Sequence, residues 1–545
     1  MSRRLQSNWH ILIPCLLLAS YAAPILGLLL PNVGDELTES YEPVKTLMFV
    51  YTHGTAFHKW GPLPSIVYAP FYAPFLGYWY VTGDLTKPGT SFLASFKHPF
   101  EELGTLILVA RLVGLAAGLV AVGIYSRSLA RACQSRLAAL LAIVLCVATA
   151  PDLIYEFAVT KPDGLMMAGL ALATAVYSLI LAEGFTVRRG VLLSLAAVAS
   201  VSCKEQAASA FAAMFACIFL MNLPLRRQFL RDYGTALLVG IGAYCIVNVI
   251  YAPGTWLAHI KFWTIGAGKD PTVWAASGYT RVQYIHDGIK NILFNLGPGG
   301  TLAVSGAILG SFFYRSKALA GAWAPLVVYL AVIFATAGYM PRYFFLPVTI
   351  LAALPVALVL AGLELSWATR PPLRIAVAAL LCIAVGLNLW DANIAWAQAR
   401  QRPEWMIEYA AQGIPKAQSI NLANPWRVAA GSSRLAYLGY RVDDRPLGAL
   451  MQHPGDLPDY VLISRVWENW MLDFKRRPAR NDLYNQTGYS YASFEGIRPL
   501  GYELVKTLHP PVPGFLQPAL ALWPPNITED VTNDLLVYRR LSPTR

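Results

Sequence analysis

Apolar runs long enough to cross a membrane recur through residues 1–391, and this recurrence restricts the fold more than any other feature. A helix needs roughly 20 apolar residues to traverse a hydrocarbon layer about 30 Å thick. Runs on this scale lie near residues 10–30, 104–124, 137–150, 164–182, 190–203, 206–222, 233–251, 298–313, 321–338, 343–362 and 373–391. Backbone groups in hydrocarbon must be satisfied within their own segment, so each run is expected to be a helix. The stretch from Pro62 to Val81 is also apolar, but Pro62, Pro64, Pro70 and Pro74 and its many aromatics suit a helix lying in the interface. The expected fold is an α-helical polytopic membrane protein with about eleven spans. With 56% hydrophobic and only 14% charged residues, an ordinary soluble enzyme is excluded.

The net charge of +12 would suit a nucleic-acid binder, but the basic residues sit in short clusters between apolar runs. With a cytoplasmic N-terminus, the inside connections carry Arg3 and Arg4; Arg127, Arg131 and Arg136; Arg188 and Arg189; Arg226, Arg227 and Arg231; Arg315 and Lys317; Arg370 and Arg374. The first outside loop, residues 31–103, holds seven acids against four lysines. These clusters therefore act as topology signals, and a nucleic-acid partner is rejected. The opening Met-Ser-Arg-Arg and the run behind it are expected to be a retained first span rather than a cleaved leader. All seven cysteines lie in or beside apolar runs, so neither a disulfide framework nor a cysteine metal site is expected.

From residue 392 the composition turns polar and stays so to Arg545. Strand-like runs at 460–464, 502–508 and 535–541 accompany a helix-like stretch at 405–414, which predicts a C-terminal α/β domain over 392–545 behind a membrane domain over 1–391.

Four outside segments carry ionisable groups at a membrane boundary: Asp35 and Glu36; Lys161 and Asp163; Lys204 and Glu205; Arg342 and Tyr343. Charges at that depth are costly, and by default they imply function. Lysine and arginine there can neutralise a lipid phosphate, arginine in bidentate fashion, while a neighbouring carboxylate deprotonates an acceptor hydroxyl. Glu39 and Glu42 read as a solvated helix face. His53 and His58 are five residues apart, outside any zinc pattern.

This order of motifs, with Asp-Glu after the first span, Lys59-Trp60-Gly61-Pro62-Leu63, Lys161-Pro162-Asp163, Lys204-Glu205 and Pro341-Arg342-Tyr343, resembles the GT-C membrane glycosyltransferases. Within them it is most similar to the protein O-mannosyltransferase-like branch that includes the bacterial aminoarabinose transferase acting on lipid A. The resemblance implies transfer of a sugar, hexosyl or pentosyl, from a polyprenyl-phosphate carrier to an extracytoplasmic protein, lipid or glycan, in a bacterial plasma membrane. It implies catalytic roles for Asp35, Glu36 and Asp163, and carrier-phosphate contacts from Lys59, Lys204, Arg342 and Tyr343. A divalent cation stays open, since some relatives use one. Lys161 departs from the family pattern and is expected to pair with Asp163. Two other classes stay open: a secondary transporter, whose charges would lie near the bilayer midplane, and a noncatalytic scaffold whose tail binds envelope polymers.

Overall fold

A computed structural model of the chain describes residues 8–26, 43–44, 60–85, 96–264, 280–336, 342–367, 371–395, 407, 409–423, 434–443, 445, 454–465, 468, 496–509, 517 and 534–541. Helix α1 (Trp9–Leu26) is followed by α2 (Leu63–Thr82), α3 (Pro99–Cys133) and α4 (Arg136–Ile143), which continues as one π-helical turn over Val144–Ala148. Next come α5 (Pro151–Ala158), α6 (Pro162–Glu183), α7 (Val187–Val201), α8 (Ala208–Met221) and α9 (Arg227–Tyr244), which also runs into a π segment, Cys245–Ile250. The remaining helices are α10 (Pro253–Thr264), α11 (Arg281–Ser311), α12 (Lys317–Thr336), α13 (Leu346–Trp367) and α14 (Pro371–Asp391).

Eight of the described helices are long and apolar enough to span, or nine if α4 and α5, bent by 71°, count as one. The chain is an integral membrane protein, but the expected eleven spans are not reproduced. The reason lies in segment length: α7 has 15 residues and α8 has 14, about 22 and 21 Å at 1.5 Å per residue, well short of the hydrocarbon layer. The turn at Ser202–Lys204 that separates them carries part of the site described below. Helix α2 forms over the proline-rich aromatic stretch left outside the expected count. It buries Tyr68, Tyr72 and Trp79 and exposes Phe71, Tyr78 and Tyr80.

Two spans form the centre. In α6, 72% of the apolar window is buried, and in the span over Arg342–Glu364 the figure is 89%, whereas no other span exceeds 44%. Helix α6 packs on α3, α7 and α13. Fully buried Arg111, within α3, donates to the Ile25 and Leu26 carbonyls at 3.2 and 3.4 Å, so its charge meets the carbonyl end of α1.

One buried side chain joins two irregular stretches. Asn388 of α14 donates through Nδ2 to the Leu145 carbonyl (2.7 Å), inside the π turn, and to Thr149 Oγ1 (3.1 Å). Its Oδ1 accepts from the Gly299 and Gly300 amides at 2.6 and 3.2 Å. Those amides follow the break in α11 at Gly297, whose φ is 68°, and Pro298. Broken helical ladders leave backbone groups that water cannot reach here, and Asn388 satisfies them. A Cβ on Gly299 would stand 2.0 Å from the Ala384 carbonyl oxygen, so glycine permits this approach.

The polar tail contains a five-stranded sheet of order β2-β1-β3-β5-β4, from β1 (Ser419–Leu422), β2 (Arg441–Asp443), β3 (Tyr460–Ser464), β4 (Tyr502–Leu508) and β5 (Leu535–Arg540). Strands β2, β1 and β3 pair in parallel, and β5 runs antiparallel to β3 and β4. Alternation divides the interior: Val461, Ile463, Leu536 and Tyr538 fill one face, and Leu462, Leu535, Val537 and Ile420 the other. All three expected strands form. Residues 409–411 of the helix-like stretch are helical. Phe100, at the start of α3, stacks obliquely on Tyr437 with 5.3 Å between centroids, and the Arg434 guanidinium lies 5.2 Å from the Phe100 ring centre.

Candidate active site

Ionisable residues from four segments meet where α5 ends and α6 begins. Asp152 and Glu156 stand one turn apart on α5 and are nearly inaccessible. The chain then extends through Lys161, whose φ and ψ are −135° and 153°, and enters α6 with Pro162 in the first turn. Proline suits that position because its missing amide would have no partner there. Asp163 follows in the same turn, where the helix amides favour a carboxylate. Between α7 and the 3-10 turn Glu205–Ala207, Lys204 is again extended, which turns its side chain back onto α6.

Three cation–carboxylate pairs result. Lys204 Nζ donates to both Asp163 oxygens, at 2.8 and 3.0 Å, with side-chain exposures of only 7% and 4%. Lys161 Nζ donates to Glu156 Oε1 at 2.8 Å. Arg342 Nε lies 2.9 Å from Asp152 Oδ2. The expected Lys161–Asp163 pair is therefore replaced. Lys161 lies at the extended entry to α6 and takes the preceding helix's Glu156, and Lys204 occupies Asp163.

Aromatic rings complete the enclosure. The Lys204 ammonium stands 4.3 Å from the Tyr343 ring centre and 5.0 Å from that of Trp60. Arg342 faces the Phe294 ring at 4.9 Å. Such contacts are worth about 2 kcal/mol when desolvated. Asn295 Nδ2 donates to the Arg342 carbonyl at 3.0 Å and fixes that turn.

Trp60 is delivered by a backbone seam. The Gly61 amide donates to the Cys203 carbonyl and the Leu63 amide to the Ser202 carbonyl, both at 3.2 Å. A Cβ on Gly61 would stand 2.0 Å from the Ser202 oxygen, which no other residue can relieve without opening the seam.

The structure thus brings together Asp163, Lys204, Arg342 and Tyr343. Asp35, Glu36 and Lys59 lie outside the described residues. Sequence reasoning missed Asp152 and Glu156, although two carboxylates at helical spacing directly after an apolar run, in a chain so poor in charge, were a usable signal. Among the described residues no group of three His, Cys, Asp or Glu side chains could hold a metal ion.

No family model matches the chain, and the comparison with curated proteins returns no match. Among solved structures it is similar to the oligosaccharyltransferase of Archaeoglobus fulgidus, crystallised with zinc and sulfate, at 11% identity and a TM-score of 0.43 over 87% of this chain and 70% of that one. It is also similar to ArnT of Cupriavidus metallidurans, in its apo state and bound to undecaprenyl phosphate, at 10% identity and a TM-score of 0.45 over 96% of this chain and 97% of that one.

The cluster can do two things chemically. Among the described residues each of the three cations faces a carboxylate, so an arriving anion competes with a carboxylate already in place. The pairs also differ in access: Arg342 is 20% exposed and Lys161 13%, against 7% for Lys204.

Proposed function

We propose that the chain is a membrane glycosyltransferase that moves a sugar from a polyprenyl-phosphate carrier to an acceptor hydroxyl on the extracytoplasmic side. The observation carrying this reading is the cluster of three ion pairs, each with a buried carboxylate, at helix ends inside an otherwise apolar protein. Burying ions costs several kcal/mol each before pairing, and such groups in membrane proteins by default serve a substrate. Under this reading residues 1–391 form the catalytic membrane domain, residues 392–545 an extracytoplasmic α/β domain, and the N-terminus is cytoplasmic.

Arg342, with Lys59, grips the carrier phosphate. Lys204 contributes charge from behind, steered by Asp163, and Tyr343 adds a hydrogen bond. Asp35, assisted by Glu36, takes the proton of the acceptor hydroxyl. The acceptor oxygen forms a bond to the anomeric carbon from the face opposite the carrier, while the bond from that carbon to the phosphate oxygen breaks. The electron pair leaves with the polyprenyl phosphate, whose new charge the cations stabilise, and the anomeric centre inverts.

The test is turnover of polyprenyl-phosphate-linked hexoses and pentoses by the purified protein. Asp35→Asn is expected to lower kcat by about 10²-fold or more, and Arg342→Ala to raise KM for the carrier. Full activity in Asp35→Asn would remove the base, and no turnover with any lipid-linked sugar would remove the reading.

A further inference from the structure

Glu205 follows Lys204 in sequence but leaves the ion-pair cluster. It lines a cavity of about 160 Å³ with His259, Asn248, Tyr244, Trp256 and Gly61. The cavity lies where the π segment ending α9 and the helix α10 meet the Gly61 seam, so it shares two backbone turns with the cluster. Its polar groups are held in place. His259 Nδ1 is hydrogen-bonded to Glu205 Oε1. Asn248 Nδ2 donates to Ser202 Oγ at 2.7 Å, which ties the amide to the turn carrying Lys204. A π segment widens the helix there, and Asn248 is its buried residue.

From this arrangement we infer that the cavity is a subsite for one polyhydroxylated ring, the sugar unit of a substrate. The size suits a single ring rather than a drug-sized ligand, which takes roughly 300–1,000 Å³. A carboxylate, an imidazole and an amide stand among the lining residues, so the wall offers hydrogen-bonding partners beside its apolar surface. A small ion would not need the two aromatic walls. Hydroxyls suit this set because each both donates and accepts: Glu205 accepts, the His259 ring does one or the other according to tautomer, and Asn248, whose Nδ2 donates to Ser202 Oγ and the Tyr244 carbonyl, can accept through Oδ1. Trp256 and Tyr244, also lining residues, add aromatic surface that suits the C–H side of a ring. This inference deepens the proposed transfer reaction and rests on it only for the ring's place in a substrate.

The full-length protein, purified in an amine-oxide detergent that carries no sugar, is examined by saturation-transfer NMR with methyl glucoside, methyl mannoside and methyl xyloside, and with cyclohexylmethanol as a ring lacking the hydroxyls. Transfer to the ring protons of at least one glycoside is expected, with little to cyclohexylmethanol. Glu205→Gln and His259→Gln are each expected to reduce it at least about fivefold, the factor that one net hydrogen bond carries. Trp256→Ala is expected to abolish it. Each variant is checked for an unchanged elution profile and melting temperature, and should Trp256→Ala misfold, the two glutamine variants alone decide. No transfer to any glycoside, equal transfer in folded variants, or displacement by cyclohexylmethanol would overturn the subsite. Binding without turnover of lipid-linked sugars would sink the transferase reading and leave the subsite. Turnover with no glycoside binding here would sink the subsite alone.

Discussion

Lys204 and Glu205 are consecutive residues with opposite fates. Lys204 is sealed against Asp163 beneath two aromatic rings, with side-chain exposures of 7% and 4%. Glu205 meets His259 at the wall of a cavity, with exposures of 28% and 18%. Extended backbone at Lys204 sends successive side chains to opposite sides of one turn. Removing either member of the sealed pair strands a buried charge, whereas the open pair keeps part of its surface accessible. One dipeptide thus places a cation in the ion-pair cluster and a carboxylate in the cavity wall.

The largest effect should come from breaking the sealed pair. Lys204→Met removes the partner of the buried Asp163 carboxyl, and a loss of about 3–5 kcal/mol is expected, read as a fall in thermal stability of the purified protein. The double variant with Asp163→Asn should recover most of it, and a failure to recover would show that the aromatic contacts, rather than the charge match, hold Lys204. Gly61→Ala tests whether the two sides depend on a common seam. Its methyl group would meet the Ser202 carbonyl at 2.0 Å, costing about 1–3 kcal/mol, and both turnover and glycoside binding should fall together. Loss of only one would separate the two sides.

Glu205→Gln should cost less than about 1 kcal/mol, because a partly solvated pair is worth little to stability. An unfolding midpoint lowered as far as in Lys204→Met would erase the distinction between the pairs. The smallest effect concerns a third pair, far from both. In the sheet, Arg445 donates to both Asp443 oxygens at 3.0 and 2.7 Å, and these bonds hold the Asp443 carboxyl below its ordinary value. A depressed carboxyl contributes stability that is fully present above its unfolded value of about 3.9 and is lost as pH falls through the folded one. Protease resistance of the tail should therefore weaken slightly more steeply in acid for wild type than for Asp443→Asn. Identical acid profiles would remove the pair's contribution.

Much of the fold was legible in sequence because its signals are local. Short runs rich in strand-forming residues marked β3, β4 and β5, and long apolar runs marked most of the spans. Strands β1 and β2, four and three residues long, are too short for such a run to show. The count of eleven spans treated two short apolar runs, 190–203 and 206–222, as full crossings, although apolarity there reflects packing against neighbouring helices as well as depth. In the site, the outside segments were identifiable from charge in a charge-poor chain. Their pairing was not, because it depends on tertiary placement: Lys161 turns to Glu156 behind it, and Asp163 meets a lysine 41 residues away. Asp152 and Glu156 escaped because their helix begins directly behind an apolar run and reads as its continuation.

Asn388 has a consequence for how the protein is made. Its partners lie 89 residues earlier, at Gly299, and 243 earlier, at Leu145, so a ribosome releases both irregular stretches into the membrane long before their partner exists. Until α14 is inserted, the amides behind the Gly297 break and the carbonyl in the π turn have to borrow partners from water or the insertion machinery. Helix α14 therefore supplies the partner that closes both breaks, and a chain truncated ahead of it would leave those backbone groups unmatched inside the bundle.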